Sequence, residues 1–567
     1  MAWIRNAWNN FKTQPEIWFF YGFLATSMLS VRKVIIYYPR GGTFNEYAGT
    51  YSYPSDIFLF LTLAIWIISI LYNKSLYLSI TAFSSSRCST PASTQGDSSS
   101  TRLDSARLAR GRWNMLKYSR GTNYIILIPL ALVIWSFISI TWSDSASIAL
   151  YRSFKLFEFY LLYLFLDINT KCSMWNILRN SFRIIIVVGL INAIIGILQV
   201  VIQHSLGLFW LEESLISPDL PGVAKIVLGG TKYIRAYGLF PHPNILGGFL
   251  FLSLILTLAY WSLFYVKQSK PACANRCASW DSGQCKIYSA QNCFFANHNC
   301  FTWNNYGRYN RYLFAFILGI QIVAGILTFS KSAILGLFLA LVYMFHPRRN
   351  VPPQKESSTW NFLRGRRGTF RETSLKHFSL SPEGLFKKAI FLLIIAGLGI
   401  YLIHPNFSSI FIQSLTERLV YINISMNMIF RNFLAGIGSG QFVLEMQNYS
   451  NSLLAPWQLQ PVHNVFLLIW SELGLIGLFV FVWFIWELFR LLIGQAGVKH
   501  NKIGSEFKNV PHGTFEPTIS SPVVFKALTI GFFAIALFDH YLWDIQQGQI
   551  MLWLVLGFLA NTNTRLF

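Results

Sequence analysis

The sequence predicts an all-α, polytopic integral membrane protein with about twelve transmembrane helices. Of its 567 residues, 53% are hydrophobic and only 12% are charged, whereas a soluble globular domain carries about a quarter charged residues. Apolar stretches of about 20 residues recur along the whole chain, which is the length that a helix needs to cross the hydrocarbon core of a bilayer.

Twelve candidate spans can be placed on these apolar stretches. They lie at 17–36, 57–73, 123–141, 149–167, 184–203, 244–266, 312–328, 332–346, 388–404, 464–489, 525–540 and 546–561. The first of them lacks a small-residue cleavage site and is followed by further spans, so we interpret it as an uncleaved membrane helix.

The distribution of positive charge predicts how the spans are oriented. The net charge is +23, and most of the 46 lysines and arginines fall in the two termini and in the loops 74–122, 168–183, 267–311, 347–387 and 490–524. Loops rich in lysine and arginine stay in the cytoplasm, so both termini and these loops are expected there. Topology and attraction to anionic lipid head groups thus explain the basic character, and nucleic acid is not an expected partner.

Two hydrophilic segments interrupt the spans. Residues 84–110 are rich in serine, threonine and arginine and predict a disordered cytoplasmic linker, 84–122, because such a segment cannot bury a core. The insert 267–311 holds five of the seven cysteines, namely Cys273, Cys277, Cys285, Cys293 and Cys300. Their spacing differs from the paired C-x2-C knuckles of zinc sites, so we expect free thiols there and no metal.

These features divide the chain into membrane blocks and loops. Spans one and two occupy 1–83, and the linker 84–122 separates them from spans three to six at 123–266, which enclose an outer loop at 204–243. After the cysteine-containing insert 267–311, spans seven to nine occupy 312–404, with a basic cytoplasmic loop at 347–387. The large outer loop 405–463 precedes the tenth span, and 464–567 hold the last three spans.

Three cations from distant parts of the chain fall on the outer face in this topology: Arg235, Lys331 and Arg418. A single cation at a helix end most often only reaches for the lipid–water interface. Lys331, however, stands between two apolar runs with almost no loop, where a charge is costly unless it lines a wet cavity or meets an anion. Three cations at one face suit a phosphate-bearing partner.

Several polar side chains on the same face are candidate catalytic residues. His463 stands at the start of the tenth span, where a lone histidine is usually structural. Its ordinary pKa of about 6.5 nevertheless suits it to accept a proton. Asn464 is a natural cap for the helix that follows. Asp539, His540, Asp544, Gln546 and Gln547 form a polar turn between the last two spans, which solvation alone would also explain.

Four segments in order carry a resemblance: "RAYGLFPHPNILGGF", "TFSKS", "ER" followed by "NFLAGIGSGQF", and "HNVFLLIWSELGLIG", together spanning residues 235–477. With the upstream "WSDSASIALYRSFKLFEFYLL", they resemble the O-antigen ligase and polymerase family of bacterial membrane glycosyltransferases. The chain departs from that family's pattern where Ser330-Lys331 replaces Ser-Arg, because lysine keeps the charge but lacks the bidentate guanidinium fork. It also has Phe433 where a proline usually precedes the glycines.

The resemblance implies a GT-C-like fold in the inner (plasma) membrane, with the large periplasmic loop before the tenth span. It implies metal-independent, cofactor-free, inverting transfer of a glycan from a polyprenyl-diphosphate carrier to an acceptor hydroxyl on the periplasmic face. His463 would act as the general base, Arg235, Lys331 and Arg418 would hold the diphosphate, and Asn244, Asn464, Asp539 and His540 would support the site.

Several alternatives stay open. The acceptor of a ligase is the lipid A core of lipopolysaccharide, that of a polymerase is another lipid-linked glycan, and that of a protein O-oligosaccharyltransferase is a serine or threonine. A different class is a polysaccharide transporter or flippase, which predicts charged or broken helices near the bilayer midplane. The gathering of polar residues at one face favours an enzyme.

The orientation is testable by single-cysteine labelling at Ser99, Ser358 and Ser450. We expect Ser450→Cys to react with an impermeant thiol reagent in intact cells, and Ser99→Cys and Ser358→Cys to react only after permeabilisation, since the latter two lie in basic loops. Labelling of Ser450→Cys only after permeabilisation would place the candidate site on the wrong side.

Overall fold

The structure is a computed structural model that describes residue 11 and residues 14–39, 44–72, 125–169, 174–228, 230–261, 312–345, 407–494 and 521–563. These residues are mostly helical, with two small two-stranded antiparallel sheets. The linker 84–122, the cysteine insert 267–311, the basic loop 347–387 and the ninth span 388–404 lie outside the described residues, and their predictions stay untested.

Twelve long helices are described in these ranges. They are α1 Pro15–Thr26, α2 Pro54–Tyr72, α3 Ile125–Trp142, α4 Ala146–Asn169, α5 Met174–Ile202, α6 Pro243–Tyr260, α7 Tyr312–Leu327, α8 Lys331–Phe345, α9 Phe407–Arg431, α10 Val465–Gly494, α11 Ser521–Ala536 and α12 Gln546–Asn563. The last turn of α3 is a 3-10 helix, and two short helices, Phe442–Glu445 and Tyr541–Asp544, stand in connections.

Four of these helices are long and apolar enough to cross a membrane. They contain Ile125–Trp142, Ile177–Ile202, Pro243–Tyr260 and Val465–Arg490. Four shorter apolar helices of the described residues cover Pro54–Ile70, Tyr312–Leu327, Lys331–Phe345 and Pro522–Ala536. The chain therefore has the architecture of a helical membrane protein, and its apolar helices indicate a lipid bilayer as their environment. The count of twelve spans stays a prediction.

The first predicted span is shorter than expected. The helix predicted over 17–36 ends at Thr26, and strand β1, Lys33–Tyr37, follows and pairs antiparallel with β2, Gly49–Ser52. A run of β-branched and aromatic residues is apolar enough to resemble a membrane helix, yet it prefers a strand when a partner is available. A second hairpin, β3 Lys225–Leu228 with β4 Thr231–Ile234, lies in the segment predicted as the loop 204–243.

Helix α6 is the centre of the fold and is buried along almost its whole length. Pro243 stands at its first turn, where the missing N–H costs nothing, and the His242 ring accepts a hydrogen bond from the Asn244 N–H at 3.2 Å. Added Cβ atoms at Gly247 and Gly248 would collide with Ser330 and Tyr541. The glycine pair thus lets two connecting turns pack directly on the first turns of α6.

Helix α10 is broken at Gly474, whose φ is 68° and ψ is −174°. The glycine-rich segment after α9 fills the break: the N–H groups of Ile437 and Gly438 donate to the carbonyls of Ser471 and Glu472 at 2.9 and 2.8 Å. In return, Leu475 N–H donates to the Phe433 carbonyl at 2.9 Å. The chain therefore turns back onto α10 and satisfies the backbone groups that the break would leave unpaired.

The break predicts a strong requirement for glycine at position 474. A methyl group there would overlap the carbonyl of Leu434, and the positive φ disfavours any other residue. We expect Gly474→Ala to destabilise the fold by about 1–3 kcal/mol or more, seen as a lower thermal unfolding temperature in detergent. Gly319→Ala is the control, because no atom lies within 4 Å of an added Cβ in that helix. Equal unfolding temperatures for the two variants would contradict the role of the break.

Candidate functional site

Two histidines and a carboxylate meet where the α11–α12 turn faces the start of α10. The His463 and His540 rings are perpendicular, with centroids 5.0 Å apart. One side-chain nitrogen or oxygen atom from each of His463, Asp539 and His540 lies within 4.8 Å of the other two. The structure thus brings His463 together with Asp539 and His540, from which helices α10 and α11 separate it in the sequence.

Asp539 connects this group to α6 and α8. Its Oδ2 atom accepts hydrogen bonds from Asn244 Nδ2 and Ser332 Oγ, each at 3.0 Å. Asn244 Oδ1 in turn accepts from Arg235 Nη2 at 2.6 Å. Arg235 is fixed a second time, because its Nε donates to the Thr328 carbonyl at 2.6 Å. The segments "RAYGLFPHPN" and "TFSKS" therefore contact each other and the α11–α12 turn.

The other two predicted cations border the same space. Lys331 is exposed at the first residue of α8, and Arg418 is half-buried on α9. The positive charges of Arg418 and Arg235 reach the Lys331 ammonium, and that of Arg418 also reaches His463 and Asp539. Within the described part of the chain, neither Arg235 nor Arg418 forms an ion pair. Their charge is available to an anionic ligand.

The surroundings of His463 and His540 shift the pKa values of the two rings in opposite directions. Burial, together with the charges of His540, Arg418 and His242, holds the pKa of His463 well below 6.5, so this ring is neutral at neutral pH. Burial alone would lower the pKa of His540 too, but the carboxylates of Asp544, Asp539 and Glu46 outweigh it and raise that pKa. Burial lowers the pKa of Arg235 to about 10, which leaves the guanidinium charged.

Aromatic side chains from two further elements pack against the two histidine rings. Tyr421 on α9 stacks on the His463 ring with centroids 5.7 Å apart, and Tyr47, just before β2, meets the His540 ring edge-on at 5.6 Å. The segment that carries Tyr47 is tied down by Asn45, whose Nδ2 donates to the Leu459 carbonyl at 2.8 Å. The candidate site thus draws on the N-terminal hairpin as well as on the helices.

Asn464 has the position of a helix cap, as its place at the start of the tenth span predicts. Its Oδ1 accepts from Leu467 N–H at 2.9 Å and caps α10, and its Nδ2 donates to the Leu537 carbonyl at 3.1 Å. Sequence reasoning assigned no role to Ser332, His242 or Tyr47, although the first two stand inside quoted motifs. Two sequence features could have identified them: Ser332 follows Lys331, and His242 precedes Pro243, the first residue of α6. No sequence feature marks Tyr47.

Two imidazoles and a carboxylate at this spacing can in principle hold a divalent transition metal. The donor set fits such an ion, but Asp539 already accepts two hydrogen bonds, and Arg235 and Arg418 lie nearby and would repel it. The positive surroundings fit an anion better than a cation. The expectation of a metal-independent site therefore stays a prediction.

In comparisons with known proteins, no family model and no curated protein matches the chain. The resemblance to O-antigen ligases and polymerases thus rests on the order and spacing of the quoted motifs.

Proposed function

We propose that the protein is a membrane glycosyltransferase that moves a glycan from a polyprenyl-diphosphate carrier to an acceptor hydroxyl at the outer face of the inner (plasma) membrane. One observation carries the proposal: the neutral ring of His463 lies beside a group of cations. Two of these cations, Arg235 and Arg418, form no ion pair with any described residue. A proton acceptor beside an anion site is what transfer from a diphosphate requires.

The cations act on the leaving group. Negative charge builds on the diphosphate oxygens as the glycosidic bond breaks, and fixed positive groups stabilise that charge without reorganising. Arg235 is held rigidly by Asn244 and Thr328, which suits it to this task. Lys331 is exposed and contributes a compact positive charge. Arg418 completes the group from α9.

His463 acts on the acceptor. The acceptor oxygen attacks the anomeric carbon, the bond from that carbon to the diphosphate oxygen breaks, and His463 takes the hydroxyl proton. A single displacement of this kind inverts the anomeric centre through an oxocarbenium-like transition state. The residues present supply both the base and the charge stabilisation, so the proposal includes neither a metal nor a cofactor. The acceptor is a glycan, a lipid A core or a protein hydroxyl.

A transporter is the second candidate, because two features that it predicts are present. Helix α10 is broken at Gly474, and Lys155 on α4 is buried in ion pairs with Asp56 at 2.7 Å and Glu158 at 2.9 Å. Charged and broken helices are typical of transport sites. However, Asp56 stands in the first turn of α2, and Ser471 and Glu472 at the break are bonded to the returning loop, so structural roles account for both features.

Reconstitution separates the two functions. The purified protein, treated with EDTA, is incubated with a lipid-linked glycan donor and acceptors of the three classes, and the products are analysed by mass. A new glycosidic product supports the transferase, and its acceptor identifies the kind. Movement of the lipid-linked glycan across proteoliposomes without any product would support the transporter instead.

The role of His463 predicts the effect of removing its ring. We expect His463→Ala and His463→Gln to lower the transfer rate about 10²–10⁴-fold, the usual contribution of a general base, with normal protein levels in the membrane. His204→Gln is the matched control, since His204 is an exposed loop residue that is not part of the cluster of His463, Asp539 and His540. A His463→Gln protein with nearly normal transfer would refute the base assignment.

The role of Lys331 predicts a dependence on charge. Lys331→Ala should lose most of the transfer activity and raise the KM for the donor, whereas Lys331→Arg should retain or improve activity because it restores the bidentate fork. The variants are compared by donor titration of purified protein, with Lys232→Ala, an exposed lysine of β4, as the control. Normal transfer by Lys331→Ala would leave Lys331 as an interfacial lysine only.

A further inference from the structure

We propose that His540 is a second catalytic residue, which donates a proton to the departing diphosphate, and that Asp544 and Arg152 are the positioning residues that hold it. The inference rests on the transfer reaction proposed above and deepens it. It assigns to the two histidines opposite tasks at one site.

The orientation of His540 is fixed by Asp544. The Nδ1 atom of His540 lies 2.8 and 2.9 Å from the two carboxylate oxygens of Asp544. The two residues stand four apart around the short helix Tyr541–Asp544, a spacing that places their side chains on one face. Because Nδ1–H donates to the carboxylate, Nε2 is the nitrogen left for a substrate. The same pairing fixes the ring and tautomer of catalytic histidines.

The turn that carries Asp544 is held in place by contacts with α4 and α10. Arg152 on α4 donates from Nη1 to the Asp544 carbonyl, and the Trp543 ring N–H donates to Glu472 Oε2 at 3.2 Å. Arg152 also lines a cavity of about 20 Å³ with Asp544 and Glu472, room for about one water. Two membrane helices, α4 and α10, thereby anchor the turn that carries His540.

The charges around His540 favour its protonated form. The titratable groups that face it come from the turn itself, the N-terminal hairpin and the starts of α6 and α10: Asp539, Asp544, Glu46, Tyr47, His242 and His463. Three of these six are carboxylates, and they keep the pKa of His540 raised while that of His463 is lowered. Two titratable groups whose environments push them apart in this way define an acid and a base.

In the proposed reaction, one histidine accepts a proton and the other donates one. His463 takes the proton of the acceptor hydroxyl as the new glycosidic bond forms. The electron pair of the breaking C–O bond goes to the diphosphate oxygen, and His540 Nε2–H gives that diphosphate a proton. His463 then returns its proton to His540 across the contact between the two rings. The net result is one proton moved from the acceptor to the diphosphate, whose terminal phosphate accepts a proton near pH 6, at about the second pKa of a phosphate monoester.

The test is the pH dependence of transfer by the purified full chain. An acid that must be protonated gives an alkaline limb to kcat, because activity falls as pH rises through the pKa of His540. We expect His540→Gln to lower kcat about 10²-fold, with a much smaller change in the donor KM, and to abolish that limb. Asp544→Asn should shift the limb to lower pH, whereas Asp544→Glu should restore it.

The number of protons that move in the transfer step is a second readout, measured in mixtures of H2O and D2O. Plotted against the fraction of D2O, the rate of the wild type should fall along a curve. The rate of His540→Gln should fall along a straight line, because one of the two moving protons is lost.

The positioning role of Arg152 has its own readout. Arg152→Lys should keep the alkaline limb near its wild-type pH, and Arg152→Ala should lower kcat while leaving the donor KM nearly unchanged. His204→Gln again serves as the control. A His540→Gln or Asp544→Asn protein with normal kcat and an unmoved alkaline limb overturns the inference while wild-type transfer leaves the proposed function standing. Absence of transfer by wild type overturns both.

Discussion

The hydrogen bonds that Asn244 and Ser332 donate to the Asp539 carboxylate hold three separate parts of the chain in register. Asp539 is only 3% exposed, and a buried carboxylate is tolerated only when it is hydrogen-bonded or near compensating charge. The first turns of α6 and α8 satisfy this requirement. Displacing either helix would remove one of the two hydrogen bonds to the carboxylate, so the polar cluster and the helix packing stabilise each other.

A second constraint acts on the backbone. Helix α10 is interrupted at Gly474, and the carbonyls and N–H groups that the break exposes are paired with the returning segment after α9. This pairing fixes α9 beside the start of α10, which is where Tyr421 stacks on His463. The position of the candidate base thus depends on a glycine some distance along the helix that follows it.

The sequence predicts the long apolar helices well, because length and hydropathy alone define them. Helices α3, α6 and α8 begin and end within a few residues of the predicted spans, apart from the C-terminal end of α6, near which the described residues stop at Trp261. The convergence of Arg235, Lys331 and His463 on one region followed from topology, since consecutive spans alternate in direction. The roles of single residues in the proposed reaction stay predictions. Asn464 caps α10, as its place at the helix start predicts, and its support of the site is untested.

The N-terminal hairpin shows what sequence patterns cannot reveal. Residues 33–37 are apolar like a membrane helix, and only the pairing with Gly49–Ser52 makes them a strand. Tyr47 reaches His540 because of that pairing, across almost the whole length of the chain. No local signal encodes such a contact. The same holds for Arg152, whose partner Asp544 lies at the other end of the sequence.

In the proposed reaction, electrostatics links donor binding to the basicity of His463. In the absence of an anion, burial and the neighbouring cations keep its pKa well below 6.5, which makes it a weak proton acceptor. At an effective dielectric constant of about 20, one negative charge about 6 Å away contributes roughly 3 kcal/mol, or about two pKa units. In the proposed reaction, a bound diphosphate therefore raises the pKa of His463 and makes its ring a stronger base. The proposed site thus favours binding of the donor before the acceptor reacts.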